Sequence, residues 1–68
     1  MKIAVVGAGN MGGAIARGLV KAGTVRAADM TVSDISETVL QGFSERGCST
    51  THDNVDAVKG ADVVFVWE

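Results

Sequence analysis

The 68-residue sequence lacks proline and tyrosine, and it contains one cysteine, one histidine and one tryptophan. The single cysteine, Cys48, excludes an internal disulfide and favours a reducing compartment. No apolar run approaches the roughly 18 residues that a membrane span needs. Charge is nearly balanced, with a formal net charge of −2, and no basic patch or aromatic platform for nucleic acid is visible. The sequence therefore predicts a cytoplasmic chain with neither a membrane nor a nucleic-acid partner.

The length of the chain limits what it can contain. A chain of this size buries only about 60% of its unfolded surface, which suits one small core but not two domains. The sequence stops inside the apolar run that begins at Val63. We therefore expect residues 1–68 to be one incomplete domain of a longer protein.

An apolar run near the amino terminus breaks into glycines and then resumes with helical spacing. The pattern predicts a buried strand at Lys2–Val6, a tight turn at Gly7–Asn10 and a helix at Met11–Ala22. The residues expected to face a sheet recur along one side of this helix: Ile15, Leu19 and Ala22, with Ala16 beside them. Close packing on the sheet is one explanation for Gly18, since an interior glycine costs up to about 1 kcal/mol relative to alanine. Gly23 is expected to end the helix.

The glycines of this turn have the spacing G-x-G-x-x-G, and each has a separate physical role. Gly7 permits a sharp exit from the strand, and Gly9 lets the main chain approach a pyrophosphate closely. Gly12 lets the helix settle against the strand. The free N–H groups at the start of the helix attract phosphate. The pattern predicts a dinucleotide-binding unit.

The rest of the chain alternates strands with helices. After a loop at Thr24–Asp29 the predicted elements are a strand at Met30–Ser33, a helix at Glu37–Arg46, a weak strand at Cys48–Thr51, a short helix at Val55–Lys59 and a strand at Asp62–Val66. The last strand is expected to be buried on both faces, and Cys48 to be a small buried apolar side chain. The fold class is α/β, a Rossmann-type unit with about four parallel strands in the spatial order 3-2-1-4.

An acidic residue follows the second strand, where NAD-binding units hold the adenosine ribose. Asp34 lies 22 residues beyond Gly12, and its carboxylate would accept hydrogen bonds from ribose hydroxyls and repel a 2′-phosphate. Asp34 followed by Glu37 also resembles a capping box, in which Asp34 simply caps the next helix. The Ser33 hydroxyl and nearby N–H groups would instead suit a 2′-phosphate. The choice between NAD and NADP stays open at this point.

The run Gly-Ala-Gly-Asn-Met-Gly at Gly7–Gly12 resembles pyrroline-5-carboxylate reductase, the enzyme of the last step in proline synthesis. The resemblance continues through Ala14–Leu19, Thr31–Asp34, Thr50–Asn54, Ala57–Lys59 and Ala61–Phe65. It covers nearly the whole chain, although only the amino-terminal part of that enzyme. The sequence departs from the family at Trp67–Glu68, where the family usually has a loop near the nicotinamide.

This resemblance implies a cofactor, NADP or NAD, and the residues that bind it. They are Gly7, Ala8, Gly9, Asn10, Met11 and Gly12 in the turn, Ser33 and Asp34 at the adenosine ribose, and Asn54. Asn54 is equally well explained as a helix N-cap. The implied reaction is hydride transfer from NAD(P)H to the C=N carbon of 1-pyrroline-5-carboxylate, which gives proline.

The resemblance places the substrate pocket and the dimerising helices in a carboxyl-terminal domain outside residues 1–68. We therefore expect no catalytic residue and no metal ligand here, weak nucleotide binding at best, and no turnover by this piece alone. His52 is expected to lie exposed in a loop. Two alternatives remain: an NADP-dependent reductase that uses a deazaflavin, and a nucleotide-sensing regulatory module.

Overall fold

Strands and helices alternate along the chain, as the sequence predicts. The structure is a computed structural model that describes residues 1–7 and 10–66, with the backbone alone at residues 10–12. Its elements are β1 (Ile3–Val6), α1 (Asn10–Lys21), β2 (Met30–Ser33), α2 (Glu37–Glu45), β3 (Ser49–Thr51), α3 (Asn54–Val58) and β4 (Val63–Val66). The predicted loop before β2 contains one turn of 3-10 helix, Ala27–Asp29. The other predicted elements agree with these bounds to within one or two residues.

The four strands form one parallel sheet in the order β3-β2-β1-β4. This order confirms the predicted Rossmann-type winding. In the pairing register, Val6 at the end of β1 lies beside Ser33 of β2 on one side and Val66 of β4 on the other. The carboxyl ends of the three strands therefore meet at one edge of the sheet, where ligands bind in open α/β sheets.

Helices α1 and α2 cover one face of the sheet and enclose the main core. The buried residues of this core are Ile3, Val5, Ala16, Val25, Met30, Val32, Leu40, Phe43 and Cys48. Leu40 and Phe43 come from α2 and are 4% and 1% exposed. Helix α3 lies against the opposite face, where Ala4 and Ala57 are buried. The sheet is thus covered on both faces near β1 and β2, as expected for parallel strands.

The face of α1 that meets the sheet differs from the predicted one. Ala16 is fully buried and Gly13 is also buried, whereas Ile15 is 39% exposed and Ala22 is exposed. The prediction for Ile15 and Ala22 was wrong because the helix turns its smallest residues toward the sheet, which lets its backbone approach closely. Leu19 packs at the margin of the core, as predicted.

Gly18, in the interior of α1, has no packing role. Gly18 is exposed, and a Cβ added there would meet no atom within 4 Å, so the explanation by close packing was wrong. We expect Gly18→Ala to raise the free energy of unfolding by up to about 1 kcal/mol, because alanine loses less backbone entropy in a helix. Denaturant unfolding measures this change.

Gly23 supplies a matched control for that substitution. It follows the end of α1 with φ +77°, and its surroundings are equally open. Its N–H donates to the carbonyl of Val20, and the N–H of Thr24 donates to that of Leu19, which together close the helix. Gly23→Ala should therefore destabilise the chain by about 1 kcal/mol through backbone strain alone. Equal effects at the two glycines would contradict this account.

Strand β4 is covered on one face within the part of the chain that the structure describes. Val63 and Phe65 pack against the core, but Val64 is 41% and Val66 is 65% exposed. The prediction of burial on both faces was wrong here, because β4 is an edge strand and α3 packs against β1 and β2.

Cys48 precedes β3 and is only 6% exposed, which confirms that it is a buried apolar side chain. Burial raises the pKa of its thiol above the ordinary value, and the positive charge of Arg46 opposes this effect. The thiolate is therefore scarce as well as inaccessible. We expect iodoacetamide to alkylate Cys48 at least about tenfold more slowly in the folded chain than in denaturant at the same pH.

The same pKa shift makes folding stability depend on pH. Because the pKa of Cys48 is raised in the folded chain, its contribution is complete below the unfolded value, about 8.5, and is lost as the pH rises through the folded value. Unfolding measured from neutral to alkaline pH should show this loss in the original chain and not in Cys48→Ala. A parallel loss in both proteins would contradict it.

Candidate functional site

The carboxyl edge of the sheet gathers the described residues that the sequence predicts as a cofactor site. Gly7 directly follows β1 and has φ +78°, a conformation that other residues adopt at a cost of roughly 1–2 kcal/mol. Its N–H donates to the backbone carbonyl of Ser33 at 2.9 Å. The sharp exit predicted for Gly7 is therefore present, and it is tied to the end of the neighbouring strand.

The remainder of the predicted turn is described only in part. Helix α1 begins at Asn10, one residue earlier than predicted. Ala8 and Gly9 lie outside the described residues, as do the side chains of Asn10, Met11 and Gly12. Their roles at a pyrophosphate stay predictions. The backbone nevertheless begins a twelve-residue helix directly at this edge, and the free N–H groups of such a helix suit an anion.

Ser33 is the last residue of β2 and is completely buried. Its hydroxyl donates a hydrogen bond to Oδ1 of Asn54 at 2.7 Å. The hydroxyl is thus already engaged with a side chain 21 residues further along the chain. A direct contact between this hydroxyl and a 2′-phosphate would require it to leave Asn54.

Asn54 is the first residue of α3 rather than its cap. The cap is Asp53, whose carboxylate accepts from the N–H groups of Val55 at 2.9 Å and Asp56 at 3.4 Å. The alternative interpretation of Asn54 as an N-cap was therefore wrong, because the helix starts one residue earlier than predicted. Asn54 is exposed, and its side chain accepts the hydrogen bond from Ser33.

Asp34 continues from β2 and is partly buried. Its Oδ1 accepts a hydrogen bond from the N–H of Ser36 at 2.9 Å, in a local turn. The cap of α2 is Ser36, whose hydroxyl accepts from the N–H of Val39 at 3.4 Å. The capping-box interpretation of Asp34 was wrong because Glu37 is the first residue of the helix and not the third. The carboxylate stays beside the end of β2, where its contact with a ribose remains a prediction.

His52 occupies a position that sequence reasoning missed. Its side chain is 54% exposed, as expected for a loop. Its Nδ1 nevertheless lies 3.0 Å from the backbone carbonyl of Asp34, and its Nε2 contacts the carboxylate of Glu37. The imidazole thus joins the end of β3 to the end of β2 and the start of α2. No spacing in the sequence predicts this contact, because Glu37 is 15 residues away from His52 and lies on another element.

The described groups at this edge are hydrogen-bond donors and acceptors that suit the binding of a polar ligand. A carboxylate at Asp34 accepts hydrogen bonds from hydroxyls, the carboxamide of Asn54 offers N–H donors, and the start of α1 offers backbone N–H groups. These groups fit the ribose and phosphate oxygens of a dinucleotide. In the described part of the chain, no group of three His, Cys, Asp or Glu side chains could hold a metal ion. Over the same residues, no helix is both long enough and apolar enough to cross a membrane.

Known proteins resemble this chain over almost its whole length. Pyrroline-5-carboxylate reductase 3 of Bos taurus is 41% identical over 64 residues, which are 94% of this chain and 21% of that protein. Pyrroline-5-carboxylate reductase of Methanosarcina acetivorans is 33% identical over 66 residues, 96% of this chain and 24% of that protein. NAD-dependent L-serine dehydrogenase of Pseudomonas aeruginosa is 38% identical over 64 residues, 94% of this chain and 20% of that protein.

These similarities confirm the resemblance to pyrroline-5-carboxylate reductases that the sequence indicates. The chain spans about a fifth to a quarter of the length of these relatives. A family model described as NADP oxidoreductase, coenzyme F420-dependent, matches residues 2–67. Together with the parallel sheet, this match means that the chain belongs to the NADP oxidoreductase, coenzyme F420-dependent, family.

Proposed function

We propose that this chain is the cofactor-binding part of a pyrroline-5-carboxylate reductase, which reduces 1-pyrroline-5-carboxylate with NAD(P)H. The observation that carries the proposal is the agreement of two independent features. Relatives with that name match 94% or more of the chain, and hydrogen bonds join three of the predicted residues, Gly7, Ser33 and Asn54, at the carboxyl edge of the sheet. When bound, the nicotinamide supplies the hydride.

The residues of this chain would hold and orient the cofactor. The start of α1 would receive the pyrophosphate, with Gly7 setting the direction in which the chain leaves β1. Asp34 would accept hydrogen bonds from the adenosine ribose, and its position is fixed by the N–H of Ser36. Asn54 would donate from its carboxamide. Substrate residues and dimer contacts would belong to the part of the protein that its relatives carry beyond this region.

The test uses the full-length protein. Calorimetric titration with NADH and NADPH measures cofactor binding, and oxidation of the reduced cofactor in the presence of 1-pyrroline-5-carboxylate measures the reaction. We expect binding of at least one nucleotide and turnover that depends on the imine substrate. Nucleotide binding without that turnover would reject the assignment as a reductase of this substrate.

Two controls separate the competing activities. L-serine with NAD⁺ tests the activity named for the Pseudomonas aeruginosa relative. A reduced deazaflavin with NADP⁺ tests the chemistry in the description of the matching family. Activity in either assay, and none with the imine, would replace the proposed function. Binding without activity in any assay would favour a nucleotide-sensing module.

A further inference from the structure

We infer that Ser33 is a positioning residue, which acts on the cofactor through Asn54 and does not contact the cofactor itself. In this arrangement Ser33 holds the oxygen of the Asn54 carboxamide, and Asn54 presents its NH₂ group to the ligand. The inference rests on the proposed binding of NAD(P)H. It gives Ser33 a different role from the direct phosphate contact that its place at the end of β2 suggests.

Ser33 lies between two parts of the candidate site. Ser33 pairs with Val6, the last residue of β1, and its backbone carbonyl accepts the N–H of Gly7 at 2.9 Å. The side chain of Ser33 points to the face of the sheet that α3 covers, where its hydroxyl lies 2.7 Å from Oδ1 of Asn54. One completely buried residue is therefore bonded both to the glycine turn and to α3.

The hydrogen bond between Ser33 and Asn54 uses only the oxygen of the Asn54 carboxamide. A serine hydroxyl has one proton, and here it is given to Oδ1 of Asn54. A carboxamide has an oxygen that accepts and an NH₂ group with two donors. With the oxygen engaged by a buried partner, the NH₂ group is the part left for a ligand. Rotation of the carboxamide by half a turn would place its donors against Ser33 and its oxygen at the open edge.

The amino-terminal end of α3 is capped by Asp53. Asp53 already accepts the free N–H groups at the start of that helix. Asn54 is therefore not needed to begin the helix, and its bond to Ser33 is the side-chain contact that the structure gives it. Asn54 is also exposed, so its carboxamide is accessible to a ligand.

A double-mutant cycle in the full-length protein tests this role. We expect Ser33→Ala to weaken the binding of NADH and NADPH by the same factor, roughly 3- to 10-fold, the effect of one hydrogen bond. Asn54→Ala should weaken both at least as much. The double variant should bind no more weakly than Asn54→Ala, because Ser33 acts only through Asn54.

Other outcomes overturn the inference in distinguishable ways. A loss of NADPH affinity alone in Ser33→Ala, additive with Asn54→Ala, would mean that Ser33 touches the 2′-phosphate directly. Unchanged affinity for both nucleotides would mean that the serine is purely structural. If the unsubstituted protein binds neither nucleotide, the proposed function fails and this inference fails with it.

Two further variants separate orientation from stability. Asn54→Asp keeps the acceptor for Ser33 but lacks the NH₂ group, so we expect it to bind both nucleotides as weakly as Asn54→Ala or more weakly. Thr31→Ala removes a side chain from the same face of β2, two residues away. It should leave nucleotide affinity unchanged while matching any general loss of stability. Normal binding by Asn54→Asp would show that the NH₂ group is not the part presented to the ligand.

Discussion

Replacing Phe43 with alanine is expected to lower the free energy of unfolding by about 3–5 kcal/mol. Phe43 is 1% exposed and is the largest fully buried side chain among the residues that the structure describes. Truncation removes its contacts in the core between α2 and the sheet and leaves a cavity there. The guanidinium of Arg17 lies 5.9 Å from the ring centroid, and its attraction to the ring is lost as well.

The size of the chain makes that loss severe. At roughly 0.05–0.15 kcal/mol per residue, a domain of this length has a total stability of only about 3–10 kcal/mol. We therefore expect Phe43→Ala to lose a large share of its stability, which far-ultraviolet circular dichroism and denaturant titration would show as a much lower unfolding midpoint. Val55→Ala is the control, since Val55 is 74% exposed. Its unfolding midpoint should stay close to that of the original chain. An unchanged unfolding midpoint in Phe43→Ala would contradict the placement of the core.

The second large effect is expected at Gly7. Its φ of +78° is one that valine adopts poorly, and its N–H fixes the exit of the chain from β1 against Ser33. In Gly7→Val, relaxation of this strain moves the start of the turn away from the edge of the sheet. We expect the affinity for NAD(P)H to fall at least about tenfold, equivalent to 1.4 kcal/mol, in titrations of the full-length protein.

Gly23→Val separates strain from site geometry. Gly23 has φ +77°, so the substitution strains the backbone to the same extent, about 1–2 kcal/mol. Gly23 lies beyond the carboxyl end of α1, at the opposite edge of the sheet from the candidate site. We expect both valine variants to lose stability and only Gly7→Val to lose nucleotide affinity. Equal losses of affinity in the two variants would mean that Gly7→Val weakens nucleotide binding by destabilising the fold and not by displacing the binding site.

The architecture was predictable because its signals are periodic and repeated. Apolar runs of strand length alternate with helical patterns, and each run predicted a strand that the structure contains. Right-handed crossovers and short connections then leave few ways to order parallel strands, so the order 3-2-1-4 followed. The buried residues Leu40 and Phe43 have the three-residue spacing of one helix face.

Details that depend on a single residue or on tertiary contacts were less predictable. Both capping interpretations failed because a shift of one or two residues in a helix start changes which side chain can reach its N–H groups. Ile15 was assigned to the sheet because it is apolar, whereas packing distance favoured Gly13 and Ala16. The contact between His52 and Glu37 arises only when separate elements meet at the sheet edge.

The site was predictable as a location and less so as a set of contacts. The acidic end of β2 and Gly7 both lie at the carboxyl edge, since parallel strands bring their ends together. The bond between Ser33 and Asn54 joins two members of the predicted set that are 21 residues apart, and no local pattern relates them. Ala8, Gly9 and the side chains of residues 10–12 remain predictions.

The one-sided cover of β4 bears on how residues 1–66 behave in concentrated solution. An edge strand offers a row of unpaired backbone groups that another strand can join. Natural edges are commonly protected by a charge, a proline or a bulge, and Val63–Val66 contains neither charge nor proline. Its exposed valines are also suited to intermolecular pairing. A polypeptide limited to this region would therefore be prone to self-association, and a charged substitution at Val66 would oppose it with little disturbance of the core.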